Sequence, residues 1–268
     1  MKKAVFFDID GTLIDVTKGQ THITHPVRKA LRRLQQEGHR IFLATGRPYA
    51  YLDAELLSFG FDGFVLMNGA LVLLDDQEIF RDPLPKDRVE ELCRLAEREH
   101  VEYILQGSHH VYLRPDYRLM EDFYTGINIS LELFVREFDS RKLDIFKLEF
   151  FTERTDVDEL YQSMIHMPGM TGITDPFHLK NLELYAEKNT KATGILHALE
   201  YLEIPVEESY AFGDGLNDVE MLQTVGHGLA MDNGHPDLKA VADAVVPSIH
   251  EDGVAAGIYE YVLGGGAR

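Results

Sequence analysis

Cysteine occurs once in the 268 residues, at Cys93. No disulfide framework and no cysteine-built zinc site can therefore form within the chain. Cys93 lies in VEELCRLAERE, a segment of helical periodicity where a packed thiol suits the pattern better than a nucleophile. Positive charge is also scarce. Against 45 aspartates and glutamates stand 26 lysines and arginines, a formal net charge of −19. Such a surface repels nucleic acid and anionic membranes, so neither is an expected partner. A phosphate ligand would need a local positive site. Long apolar runs are missing as well. The N-terminal MKKAVFFDIDG breaks at Asp8, too early for a signal-peptide core, and no stretch has the length that spans a membrane. The expected setting is the cytoplasm. No repeat of fixed period and no low-complexity tract is found.

What is present has an α/β rhythm. Hydrophobic residues make up 45%, ordinary for a globular chain, and the length allows one large domain or two modest ones. AVFF (4–7) is a short continuous apolar run, as a central parallel strand buried on both faces requires. HPVRKALRRLQQEGH follows as a helix, with Pro26 at its start and Gly38 at its stop. RIFLAT (40–45) is a second strand, PYAYLDAELLSFG a second helix, and GFVLMNGALVLL (63–74) two strands about an Asn68-Gly69 turn. This predicts an α/β fold with a doubly wound, Rossmann-like parallel sheet.

From about Pro83 to Tyr185 strands come in neighbouring pairs with helices between them, which predicts an antiparallel sheet and an inserted α+β domain. The βα rhythm then resumes through SYAFGD (209–214), a helix NDVEMLQTV, a strand HGLAM, a short helix DAVV, and a C-terminal helix from near Glu251. GGGAR is expected to fray. The expected organisation is a discontinuous core of residues 1–82 and 186–268 with an inserted cap over 83–185.

Ligands of parallel α/β sheets bind beyond the carboxyl ends of the strands. There the first strand ends in Asp8 and Asp10, the second in Thr45-Gly46-Arg47, the third in Asn68-Gly69, and the strand after the insertion in GDGLND, residues 213–218. EKNTK opens the helix before that last strand. Asp8, Asp10 and Asp214 at one rim would repel each other without a cation. Hard oxygen donors with no cysteine point to Mg²⁺. Period-two spacing puts Asp8 and Asp10 on one side if the strand continues. Thr45 can donate its hydroxyl to a phosphoryl group and Lys191 can offset its charge.

These residues resemble the haloacid dehalogenase superfamily. DIDGT matches its first motif, Thr45 in LATGRP the second, Lys191 the third and GDGLND the fourth. The spacing is similar to the Cof-type phosphatases, whose cap is inserted between the second and third motifs. MNGA, MLQTVGHGLAM and EDGVAAGI match further. The resemblance implies that Asp8 is the nucleophile and Asp10 the general acid/base. It implies that Mg²⁺ is held by Asp8, the main-chain carbonyl of Asp10 and Asp214, with Asp218 supporting it through water. Thr45 and Lys191 would hold the phosphoryl group, and Asn217 would contact it or orient Lys191. The family often reads S-K-G around the lysine where this chain reads NTKATG, and Lys188 is an alternative. Lys191 fits the distance to the following helix better.

Each residue also has a plainer reading. Asp8 and Asp10 could form a cap, Thr45 could cap a helix, Arg47-Pro48 could be a surface turn, and Asn68-Gly69 a tight turn. His109 and His110 would point to opposite faces of a strand, so they would not share a metal. The expected function is a Mg²⁺-dependent phosphatase acting on small phosphorylated metabolites. A phosphomutase using the same phosphoaspartate is the alternative, and a non-catalytic sensor of a phosphorylated ligand the third.

Overall fold

A computed structural model of the chain describes residues 2–75, 77–126, 129–174 and 180–264. AVFF forms β1 (Ala4–Phe7), with every residue buried. The apolar side chains alternate between both faces of the sheet, so the strand can only sit at its centre. It does. β2 (Arg40–Ala44) flanks it on one side, followed outward by β3 (Gly63–Leu66), β4 (Leu71–Leu74) and β5 (Gln77–Arg81). β3, β4 and β5 meander antiparallel. α1 (His25–Gln36) connects β1 to β2, with proline in its first turn and Val27, Ala30, Leu31 and Leu34 buried on one stripe. α2 (Ala54–Ser58) precedes β3.

The chain divides into two compact units. The first comprises Met1–Gly46, Asp53–Arg81 and Thr190–Arg268, and the second Arg47–Leu52 and Asp82–Asn189. In the second unit α3 (Lys86–Arg98) leads to β6 (Glu102–Gln106) and β7 (Val111–Leu113). α4 (Arg118–Gly126), β8 (Phe134–Val135), β9 (Lys147–Phe151), α5 (Asp158–Ile165), β10 (Met170–Thr174) and β11 (Asn181–Ala186) follow. The six strands form one sheet in the order β10-β11-β9-β6-β7-β8, antiparallel except for β7 with β8. Its pleat separates two kinds of residue. Leu148, Phe150, Leu182 and Leu184 join Leu92 of α3 and Tyr161 of α5 in one apolar cluster. The alternate positions carry polar groups, among them Lys147 paired with Glu183 at 2.8 Å and Asn181 donating to Glu149 at 2.6 Å.

The first unit is completed by α6 (Lys191–Leu202), β12 (Ser209–Gly213), α7 (Val219–Thr224), β13 (His227–Met231), α8 (Pro236–Val241), β14 (Ala244–Val246) and α9 (Gly253–Gly257). β12 pairs with the free edge of β1, and the sheet runs β14-β13-β12-β1-β2-β3-β4-β5. All neighbours from β14 to β3 are parallel. This is the doubly wound sheet that the apolar runs predict.

Two local readings are corrected. DAVV is not a helix. Ala244–Val246 pairs in parallel with β13 as the edge strand β14, and the helix lies earlier, at Pro236–Val241. A short apolar run has no periodicity that separates the two states. PYAYLDAELLSFG is not one helix either. A single tight turn at Tyr49–Tyr51 ends at Leu52, which is extended, and Asp53 starts α2 afresh by accepting from the Leu56 N–H at 2.8 Å. Of GGGAR only Gly264 falls within the described residues.

One turn fixes how α6 meets the sheet. Gly69 has φ +92°, and a Cβ there would lie 2.0 Å from the Thr190 carbonyl oxygen, one residue before Lys191. Gly69→Ala is therefore expected to lower stability by about 2–3 kcal/mol through strain and steric clash. The check is the urea midpoint. An unchanged midpoint would show that α6 tolerates displacement here.

Candidate active site

Asp8 stands one residue past β1, where the buried strand reaches its rim, and its N–H donates to the Phe212 carbonyl of β12 at 3.0 Å. Lys191 reaches the same point from α6. The helix start is fixed by its N-cap, Thr190, whose side chain accepts from the Thr193 N–H while the Thr193 hydroxyl accepts in return from the Thr190 N–H. The Lys191 ammonium lies 2.6 Å from an Asp8 oxygen and 2.6 Å from an Asp218 oxygen. All three side chains are buried. Burial lowers the pKa of the Lys191 ammonium, but Asp218 and Asp8 more than offset this and hold it above the ordinary value.

The GDGLND loop folds around Asp218. One of its oxygens takes Lys191, and the other accepts the N–H groups of Asp214 at 3.0 Å and Gly215 at 2.9 Å. Asp214 is held in turn by the Thr12 hydroxyl, which donates at 2.9 Å. Gly11, with φ +84°, makes this approach possible, since a Cβ there would lie 2.1 Å from an Asp214 oxygen.

Carboxylate oxygens of Asp8, Asp214 and Asp218 lie within 4.8 Å of one another. With only Lys191 among them, negative charge remains in excess. Burial is the main cause that raises the Asp8 pKa well above the carboxylate range; Lys191 opposes it, and Asp218, Asp214 and Asp10 add to the rise. Burial likewise pushes Asp214 up to about 7. In such a set further positive charge would favour the ionised forms of Asp8 and Asp214. Its donors are hard oxygens, which fits a divalent cation of the oxygen-preferring class.

The cluster differs in one member from the three carboxylates expected at the rim. Asp10 has an exposed side chain and is not among the three that converge; Asp218 is. The spacing argument placed Asp10 beside Asp8 only for a continuing strand. β1 ends at Phe7, and the chain turns through Gly11 instead. Asn217 is exposed on the short turn Leu216–Asp218, and Lys191 is oriented by Asp8 and Asp218 rather than by it. Thr45 is buried at the end of β2, its N–H donating to Val65 at 2.8 Å and its carbonyl accepting from the Asn68 N–H at 3.2 Å. Asn68 is buried in the left-handed region at φ 52°, with Gly46 beside its side chain. Arg47 belongs to the second unit, where its guanidinium donates to the Tyr51 carbonyl at 3.2 Å. Lys188 is also in the second unit, exposed and bound to Asp82 at 2.9 Å, so it is Lys191 that meets Asp8. His109 and His110 lie in the turn between β6 and β7, not on a strand, and the His109 ring sits 4.9 Å from that of Tyr49.

Two positions and one role went unread in the sequence. Thr12 is the last letter of DIDGT and was visible there as a hydroxyl two residues past Asp10. The role of Asp218 as the counter-charge of Lys191 has no local signal, because its partner lies in a different helix. Asn233 is the third. Its amide donates to the Gly11 carbonyl at 2.8 Å and its oxygen accepts the Ile249 N–H at 2.8 Å, which ties the first loop to the C-terminal segment.

The chain is similar to known proteins over nearly its whole length. A family model described as haloacid dehalogenase-like hydrolase matches residues 5–258. The putative phosphatase YkrA of Bacillus subtilis is 32% identical over 266 residues, covering 97% of this chain and 98% of that protein. A hypothetical protein of Geobacillus kaustophilus HTA426 has a similar solved structure, with a TM-score of 0.88 at 28% identity, covering 98% of this chain and all of that one. The structure of the subclass IIB sugar phosphatase BT4131 superposes with a TM-score of 0.81 at 28% identity, covering 98% of this chain and 100% of that chain.

Proposed function

Because the chain belongs to the haloacid dehalogenase-like hydrolases, we propose that it is a Mg²⁺-dependent phosphatase of small phosphorylated metabolites, sugar phosphates or similar phosphomonoesters, working through an aspartyl phosphate on Asp8. The observation that carries this reading is the buried Asp8 carboxylate held against Lys191 at the carboxyl end of β1. A nucleophile there is fixed in direction, and a cation beside it can neutralise a phosphoryl oxygen.

The steps belong to the chain's own groups. An Asp8 oxygen attacks phosphorus and forms the new O–P bond as the ester O–P bond breaks. Asp10 gives its proton to the departing alkoxide oxygen. The exposed position of the Asp10 side chain lets it face an incoming substrate. Asp10, now ionised, takes a proton from water as that water attacks the phosphoaspartate, and inorganic phosphate leaves. Lys191 and the Thr45 hydroxyl hold the phosphoryl oxygens. Asp218 keeps the ammonium aimed. Asp8 and Asp214 would hold the Mg²⁺, with the Asp10 main-chain carbonyl as a further ligand and Asp218 supporting the ion through water; the ion supplies positive charge to the carboxylates and to the phosphoryl group. Asn217, Gly46, Asn68 and Arg47 are assigned to the surroundings of the substrate. Substrate choice is assigned to the inserted residues 83–185.

The test is a phosphate-release screen with Mg²⁺ over sugar phosphates, nucleotides, pyridoxal phosphate and flavin mononucleotide. Free phosphate from a subset is the expected result. An isomeric sugar phosphate without free phosphate would instead make the protein a mutase, and no release from any member of the panel would overturn the phosphatase reading.

A further inference from the structure

A second charged feature of the first unit lies apart from the acidic rim and shares no residue with it. One face of α1 lines a groove of about 850 Å³ that Phe59, Tyr259 and Leu263 line as well. That face carries His25, Arg28, Lys29, Arg32 and Arg33, and among the described residues that line the groove Glu37 is the one acid. In a chain with 45 acidic and 26 basic residues, this clustering runs against the composition. It also runs against helix stability, since like charges at i, i+4 repel, as Arg28 with Arg32 and Lys29 with Arg33 must.

Local pairing accounts for only part of it. Arg28 is bound to Glu55 at 2.6 Å and Arg33 to Glu37 at 2.6 Å. Arg32 donates to Gln35 at 2.8 Å, and its guanidinium lies 4.2 Å from the centroid of the buried Phe59 ring. Among the described residues no carboxylate pairs with Arg32 or Lys29 in an ion pair. Arg28 also lies over Phe59, at 5.2 Å. The two arginines are thereby held in place before any ligand arrives, which lowers the ordering cost of binding an anion. The volume is in the range of small-molecule sites.

We infer that this groove binds a polyphosphate-bearing anion, with Lys29 and Arg32 as its main charge contacts. The chain's overall negative charge disfavours a generic anion, so several adjacent phosphates are needed to gain from several cations at once. Two sources share that chemistry, inorganic polyphosphate and a nucleoside polyphosphate, and Tyr259 distinguishes them because only the second has a ring to lay against it.

The test is calorimetric titration of the full chain, stripped of divalent metal, with tripolyphosphate, with pyrophosphate and with ADP at low ionic strength. Without metal the acidic rim repels anions, so binding reports the groove. The expected result is one site that weakens with added salt and whose Kd rises at least tenfold in Lys29→Glu/Arg32→Glu. Lys29→Glu alone serves as the second variant. It places a glutamate four residues before Arg33, a favourable helical pair, so the helix is kept while the contact is reversed. Phosphatase turnover should be unchanged in both variants. ADP binding that exceeds pyrophosphate binding and loses the surplus in Tyr259→Ala identifies a nucleotide; equal affinities identify inorganic polyphosphate. No binding at millimolar anion, or the same affinity in wild type and both variants, would overturn the proposal.

Discussion

Asp8→Asn is expected to turn over no p-nitrophenyl phosphate at all, while Asp10→Asn should release a burst of nitrophenol near one equivalent and then almost stop. The difference follows from the division of labour proposed for the pair. Replacing Asp8 removes the attacking oxygen, so no phosphoenzyme can form. The fold should survive, because Lys191 keeps Asp218 as its counter-charge at 2.6 Å. Replacing Asp10 leaves the nucleophile intact. Nitrophenolate is a stable leaving group that needs little protonation, so the first step continues. The second step has lost its base, and steady-state turnover should fall by about 10²–10⁴-fold. Phosphoenzyme then accumulates. Rapid-quench measurement of nitrophenol, with mass spectrometry of the trapped protein, reads both events. A phosphate carried on any residue other than Asp8, or undiminished turnover in Asp10→Asn, would show that the two roles are wrongly assigned.

Removal of divalent metal is expected to have an effect of similar size. Three carboxylates share a buried site with one ammonium, and burial already raises the pKa of Asp8 and takes Asp214 to about 7. Bringing a phosphate dianion to that site adds charge of the same sign. Activity should therefore be lost in EDTA and return with Mg²⁺. Calcium should restore little. It takes roughly six to eight oxygens at longer distances than Mg²⁺ and can draw both Asp8 oxygens onto itself, which leaves neither free to attack. Thermal unfolding gives an independent reading. Metal at about 100 times its Kd contributes roughly 2.7 kcal/mol to the folded state, enough to raise the midpoint by several degrees. Full activity after confirmed metal removal would overturn this account of the acidic cluster.

The sequence carried the central architecture well, for a physical reason. Strands such as Ala4–Phe7 and Ser209–Gly213 are buried on both faces, and their centres read as apolar runs. The rule that ligands gather beyond strand ends then pointed to Asp8, Thr45 and Asp214 without any structure. What could not be read depends on long-range contacts. Nothing near Asp218 says that its carboxylate meets Lys191, and nothing near Asp10 says that the strand stops before it. The segment Arg47–Leu52 looked like the start of a helix in the core but packs with the second unit, a choice made by tertiary contacts of Tyr51 with Tyr124 and Phe134. β14 is too short for periodicity to distinguish it from a helical turn.

The place of β1 between β2 and β12 has a consequence for how the protein is made. During synthesis β1 and β2 emerge close together and can pair at once, Ala4 against Arg40. The other edge of β1 waits for Ser209, which follows the whole inserted unit in the chain. The second unit, nearly all of it between Asp82 and Asn189, leaves the ribosome in between and can close first. Assembly can thus run out of sequence order, with the inserted part closing before the part that hosts it, and the charges of Asp8, Lys191 and Asp218 meet only after the long gap is bridged. A nascent chain that ends before Ser209 keeps one edge of a fully apolar strand open. An open apolar edge of this kind is an aggregation hazard.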